Sequence, residues 1–185
     1  IRLMLKEDLD GKEILDIGTG SGCIAISLAK NLPNAKVTAL EISKDALEVA
    51  RENAKLNNVN IEFIHTDIFE YNSEKKYNVI VSNPPYVLES EKSQMKQNVL
   101  DFEPGLALFV KDIEPLKYYT EIFNFSQNNL RDKGFLFFEI NNKVEKPLSD
   151  GLILNNFNFK IYRDHNGFKR CVFARKWIST LPKSY

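Results

Sequence analysis

Glu13-Ile14-Leu15-Asp16-Ile17-Gly18-Thr19-Gly20-Ser21-Gly22 decides the fold. Its apolar run reads as a strand that opens into a glycine loop, and Cys23 to Asn31 behind it reads as a helix. A unit of this kind leaves backbone N–H groups free at the helix start and lets a ligand come close to the main chain. Outward from it, apolar runs alternate with helical patterns, the signature of a parallel sheet covered by helices. Lys36 to Glu41 reads as the second strand. Ser43 then N-caps a helix from Lys44 to Leu56, with Leu47, Ala50 and Ala54 on one face and Asn57-Asn58 at its end. Ile61 to His65 and Tyr77 to Ser82 read as the third and fourth strands.

Residues 87–110 are mostly polar and lack a sustained period, so they read as a long functional loop with room for a short helix. Ile113 to Leu130 reads as a helix, Phe135 to Ile140 as the fifth strand and Val144 to Leu154 as a weaker helix. Phe157 to Arg163 and Arg170 to Arg175 then flank Asp164-His165-Asn166-Gly167. Asn-Gly between strands predicts a hairpin, since both residues tolerate positive φ. The expectation is an α/β, Rossmann-like, mostly parallel seven-stranded sheet closed by a C-terminal antiparallel hairpin, in a single domain over residues 1–185.

Hydrophobic residues make up 43% of the 185 residues, enough for a core and too many for a disordered chain. Lys+Arg and Asp+Glu both count 25, and the lack of a basic excess argues against a nucleic-acid partner. Cys23 and Cys171 read as buried free thiols, with no CxxC pattern and no disulfide framework, which suits a reducing cytoplasm. His65 and His165 form no ligand cluster, so no metal is expected, and no run has the length of a membrane span. The chain opens on Ile1 and reads as a piece of a longer polypeptide.

The glycines at 18, 20 and 22 give a GxGxG spacing in place of the GxGxxG of dinucleotide binders. With Asp16 ahead of them, this suits a ligand without a pyrophosphate, and S-adenosylmethionine is such a ligand. Gly18, Thr19, Gly20 and Gly22 would lie against its amino-acid end, with Asp16 a direct or indirect partner of the ammonium. Glu41 would accept the ribose hydroxyls, with Ile42 beside it. Asp67 would take the exocyclic amine of adenine while Ile68 covers a ring face. The bland alternative is a tight turn with solvated strand ends. It competes for each residue singly and loses for the ordered set.

Asn83-Pro84-Pro85-Tyr86 closes the fourth strand. A planar nitrogen is a poor nucleophile because its lone pair is delocalised. Two acceptors that hold its N–H hydrogens turn the lone pair toward an electrophile. The Asn83 side-chain oxygen and the Pro84 carbonyl can be those acceptors, and Asn83 also faces the cofactor. Pro84 and Pro85 stiffen the turn, and the Tyr86 ring can stack on the flat group. A rigid Pro-Pro turn with an Asn cap is the plain alternative.

These motifs resemble those of the release factor glutamine methyltransferases, the HemK/PrmC family, from Ile14 to about Ala174. Asp16 to Gly22 is similar to that family's cofactor loop and Ile80 to Tyr86 to its substrate motif. Glu103-Pro104 with Ala107-Leu108 resembles its Glu-Pro…Ala-Leu segment, Phe138-Glu139-Ile140 its fifth strand, and Asp164…Gly167…Arg170 its hairpin. The resemblance implies methyl transfer from S-adenosylmethionine, leaving S-adenosylhomocysteine, to the glutamine amide of the Gly-Gly-Gln motif in class I peptide chain release factors. It implies that Glu103 and Pro104 shape the substrate loop, and a cytoplasmic monomer is the expectation. The family's N-terminal helical domain is absent from this chain. Phe109-Val110 and Asn141 stand where glycines are usual, and neither is expected to touch the chemistry. The competing readings are an adenine N6-methyltransferase acting on DNA or RNA by base flipping, and a binding module without activity.

Overall fold

The computed structural model describes residues 1–94 and 109–176. β1 (Glu13–Ile17), β2 (Lys36–Glu41), β3 (Glu62–His65), β4 (Tyr77–Ser82) and β7 (Leu130–Glu139) run parallel in the order β3-β2-β1-β4-β7. β9 (Lys169–Lys176) pairs antiparallel with β7, and β8 (Phe157–Arg163) pairs antiparallel with β9 at the sheet edge. The expected seven-stranded topology is present, hairpin included. β5 (Val87–Leu88) and β6 (Phe109–Val110) form a separate parallel pair that the sequence reading placed in a loop. A 3-10 turn at Glu89–Gln94 follows β5. Glu103, Pro104, Ala107 and Leu108 lie outside the described residues.

Alternation along the strands separates two cores. Leu15, Ile17, Leu40, Ile80, Leu136 and Phe138 belong to one core. It is shared with Tyr119, Ile122 and Phe123 of α3 (Lys117–Asn129) and with Leu148 and Leu152 of α4 (Glu145–Leu154). Ile14, Val37, Ala39, Val79 and Val81 belong to the other, with Ala25 and Leu28 of α1 (Cys23–Asn31) and Ala54 of α2 (Lys44–Leu56). Ser43 caps α2 as expected, its side chain accepting from Ala46 N at 3.3 Å.

The differences from the sequence reading have local causes. α3 starts at Lys117 instead of Ile113, because Pro115 disfavours helical geometry at Glu114 and the chain makes turns first. In the hairpin only Gly167 takes positive φ (+83), so Asn166 does not share a two-residue mirror-image turn with it. The Asp164 carboxylate instead accepts from Asn166 N and Phe168 N, bracing a longer loop that closes at Arg163↔Lys169. Cys23 and Cys171 are exposed, not buried. Cys23 is the first residue of α1, and on β9 it is Val172 and Ala174, the alternate positions to Cys171, that are buried.

One register row positions everything that follows. Ile64, Leu40, Ile17, Ser82 and Phe138 are successive partners across the parallel strands, and Val172 and Ile161 continue the row. The residues just past that row, including Gly18, Glu41 and Asn83, therefore emerge at one edge, where ligands of open α/β sheets bind.

Candidate active site

The glycine loop is tied to its neighbour strand by backbone bonds. Gly18 N and Thr19 N both donate to Leu40 O at 2.9 Å. Gly18, Gly20 and Gly22 take φ of +70, +56 and +86, values that a side chain would strain. Gly22 carries a second constraint: a Cβ there would stand 2.9 Å from Ile26 Cδ1 and 3.2 Å from Ala50 Cβ. Its bareness lets α1 and α2 approach, so its role is in packing beneath the site.

Asp16 is completely buried, and its Oδ2 accepts from Thr19 Oγ1 at 2.7 Å and from Ala25 N at 3.2 Å. Among the described residues, its Oδ1 is the buried side-chain oxygen without a hydrogen-bond partner. Burial pushes the Asp16 carboxyl up to about 6, with the Glu41 charge adding to the rise and the two hydrogen bonds opposing it. Glu41 is buried too: Oε2 accepts from Gly20 N and Oε1 from Ser43 N, each at 2.8 Å. Each oxygen keeps a lone pair for a further donor.

A cavity of about 310 Å³ opens over these elements. Gly18 and Gly20 line it from beyond β1, Glu41 and Ile42 from the end of β2 and just past it, Asp67 and Ile68 from beyond β3, and Asn83, Pro84 and Pro85 from beyond β4. The separate sequence signals thus meet in one space. Asp16, Thr19 and Gly22 support it from below, and Tyr86 does not line it. The Tyr86 ring packs against the core and its hydroxyl donates to Glu139 Oε1 at 2.8 Å.

Ser82, Ser43 and Tyr118 also line the cavity and were not read from the sequence as site residues. Tyr118 sits on α3, whose helical pattern carries no mark of a ligand face. Burial and the Asp67 charge raise its hydroxyl above the usual tyrosine range. Its ring lies 5.7 Å from that of Phe69, which Lys117 covers at 4.7 Å.

Of the positions where glycines are usual, Asn141 touches the turn and Phe109–Val110 lies beside its exit. Asn141 Nδ2 donates to the Tyr86 carbonyl at 3.2 Å, and Phe109–Val110 pairs with the strand that directly follows the turn. A larger depression of about 590 Å³ lies at the opposite edge, where the ion pairs Lys36–Glu13 and Lys75–Glu62 offset all its lining charges but that of Lys30. No predicted site residue lines it, and geometry favours the smaller cavity. No helix among the described residues is long and apolar enough to cross a membrane.

Comparison with known proteins agrees with this geometry. The chain is 44% identical over 179 residues to the release factor glutamine methyltransferase of Bacteroides thetaiotaomicron, covering 95% of this chain and 64% of that protein. It is 49% identical over 153 residues to the release factor glutamine methyltransferase of Flavobacterium psychrophilum, covering 82% and 53%. The chain thus spans between 53% and 64% of the length of these curated relatives. The ribosomal protein L11 methylase of Lactobacillus delbrueckii subsp. bulgaricus superimposes with a TM-score of 0.68 at 21% identity, over 94% of this chain and 74% of that one, which shows the fold. The methyltransferase small domain model matches residues 2–103, and the chain belongs to that family.

Proposed function

We propose that this chain transfers a methyl group from S-adenosylmethionine to the side-chain amide nitrogen of glutamine in the Gly-Gly-Gln motif of class I peptide chain release factors. The observation that carries the reading is the convergence of Asn83-Pro84-Pro85 with Gly18, Gly20, Glu41 and Asp67 on one cavity. The names of the sequence relatives support the same substrate.

The residues present fit the cofactor. The unpartnered Asp16 Oδ1, buried beneath the glycine loop, offers charge compensation to an ammonium group. Glu41 keeps a lone pair on each oxygen for the ribose hydroxyls, and Ile42 and Ile68 supply apolar surface for adenine, with Asp67 at its amine edge. When bound, the cofactor supplies an electrophilic methyl carbon on a sulfonium.

The protein's own part is to place the nucleophile. Asn83 Oδ1 and the Pro84 carbonyl accept the two N–H hydrogens of the glutamine amide and turn the nitrogen lone pair into the cavity. Fixed φ at Pro84 and Pro85 keeps those acceptors in place before the substrate arrives. The buried walls, Pro84 and Ile68 among them, exclude water from the reacting atoms. Such a reaction takes the enzyme to the cytoplasm, where release factors act.

Methyl transfer by the full-length protein tests this reading. Labelled S-adenosylmethionine is offered with a class I release factor, its Gly-Gly-Ala variant, or an adenine-containing oligonucleotide. Label on the intact release factor alone is expected. Label on the oligonucleotide alone would overturn the reading in favour of adenine N6-methylation.

A further inference from the structure

Pro84 and Pro85 have no N–H, so the acceptor turn offers two fewer donors by which the fold can hold it. Its entrance is secured by β4. Ser82 pairs with Ile17 and Phe138, and its hydroxyl donates to Ile17 O at 2.7 Å. Its exit is secured by side chains from the end of β7 and from just beyond it. The Tyr86 hydroxyl donates to Glu139 Oε1 at 2.8 Å, and the Tyr86 carbonyl accepts from Asn141 Nδ2 at 3.2 Å.

Asn141 is the hub of this anchorage. The same Nδ2 donates to Glu91 Oε2 at 3.0 Å, an oxygen that also accepts from Leu88 N at 3.0 Å. Glu91 Oε1 is paired with Lys143 Nζ at 2.7 Å. Asn141 Oδ1 accepts from Lys143 N at 3.0 Å, opening the 3-10 turn Asn142–Val144. These partners fix the orientation of the amide, because a flip would set its oxygen against two acceptors and its NH₂ against a donor. The hub therefore joins the turn's exit, the 3-10 segment after β5 and the loop after β7.

The geometry points to Asn141 as a positioning residue for methyl transfer. Its amide locks the exit of the Asn83-Pro84-Pro85-Tyr86 turn and so sets where the Asn83 side chain and the Pro84 carbonyl stand over the cavity. The inference rests on the reading of Asn83 and Pro84 as the acceptors of the amide. Asn141 touches neither substrate nor cofactor. It acts through Tyr86 and Glu91.

An exchange of donor and acceptor in the full-length protein tests it. Asn141→Asp places a carboxylate against Glu91 Oε2 and the Tyr86 carbonyl. It lowers kcat on a release factor between about tenfold and a hundredfold, the range for a misplacement near 1 Å. KM for S-adenosylmethionine stays within about twofold, since Gly18, Gly20, Glu41 and Asp67 keep their places and, of the cofactor candidates, the shift reaches Asn83 alone. Adding Glu91→Gln removes the like charge and returns a donor to the introduced carboxylate at the expense of the acceptor for Leu88 N, and kcat recovers by at least about threefold. A merely structural role would lower thermal stability without this split and without rescue.

The side-chain amide resonance of Asn83 in ¹H–¹⁵N spectra reads the same exchange without turnover. It shifts in Asn141→Asp and returns in the double variant. A wild-type protein that methylates no release factor would defeat the functional reading, while this resonance would still decide the inference. An unmoved Asn83 resonance in Asn141→Asp, or an undiminished kcat, overturns the inference.

Discussion

The glycine loop and the Asn-Pro-Pro-Tyr turn leave neighbouring strands at the same sheet edge, yet they are held by opposite means. Backbone donors hold the first: Gly18 N and Thr19 N reach Leu40 O, and Gly20 N reaches Glu41. Side chains hold the second, through Glu139 and Asn141, which lie 53 and 55 residues further along the chain. A loop restrained by its own backbone shares its fate with the fold, because its bonds belong to the β1–β2 edge. A turn restrained from outside can shift while the fold stays intact. Damage to the first is therefore expected to appear as lost stability or lost cofactor, and damage to the second as lost turnover.

Asn83→Ala tests the second half of that contrast and carries the largest expected effect. Removing one of the two acceptors lowers kcat by about a thousandfold, within the range for preorganised hydrogen-bond partners. Asn83 is exposed, so unfolding free energy moves by less than about 0.5 kcal/mol. Single-turnover transfer and chemical denaturation on one preparation measure both.

Asp16 tests the first half through pH. Its carboxyl titrates near about 6 when folded, against an ordinary value of 3.8. Between those values the folded protein keeps a proton that the unfolded chain has released, so stability falls as pH rises through this window and levels off above it. The expected loss is about 3 kcal/mol at most, from 1.36 kcal/mol per pKa unit. Asp16→Asn lacks this slope, and denaturation midpoints from pH 4 to pH 7 compare the two proteins.

Gly22→Ala sharpens the contrast further, since that glycine serves packing. The added Cβ meets Ile26 and Ala50 at positive φ and costs about 2 kcal/mol of stability by overpacking and backbone strain. Per-molecule kcat of the folded fraction stays near wild type. Ser43→Ala is the smallest change: it removes the α2 cap at a cost of about 1 kcal/mol, read as a lower thermal midpoint.

What the sequence reveals follows the same division. β1, β2, β4, α1 and α2 run where their apolar periods, cap and glycines put them, because each signal is local. Gly18, Glu41, Asp67 and Asn83 were legible as a set for a related reason: each stands at or within two residues of the C-terminal end of a recognisable strand, and the parallel register brings those ends together. Tyr118 was not legible, since only the packing of α3 over the cavity brings it to the cavity wall. Glu139 and Asn141 were not legible as anchors either. Their partner Tyr86 lies more than fifty residues away, and no spacing rule connects them. The exposure of Cys23 and Cys171 was missed because an apolar neighbourhood in sequence does not fix which face a residue takes.

The most direct test compares transfer rates of Asn83→Ala and Glu41→Gln on a release factor at rising S-adenosylmethionine. Glu41→Gln keeps one acceptor for Gly20 N or Ser43 N, sets its NH₂ against the other and loses the charge proposed to face the ribose. It therefore weakens the cofactor site, and its rate is expected to climb back near wild type once the cofactor saturates. Asn83→Ala is expected to plateau about a thousandfold lower at any cofactor concentration. An Asn83→Ala plateau near the wild-type rate would contradict the division of labour between the two loops.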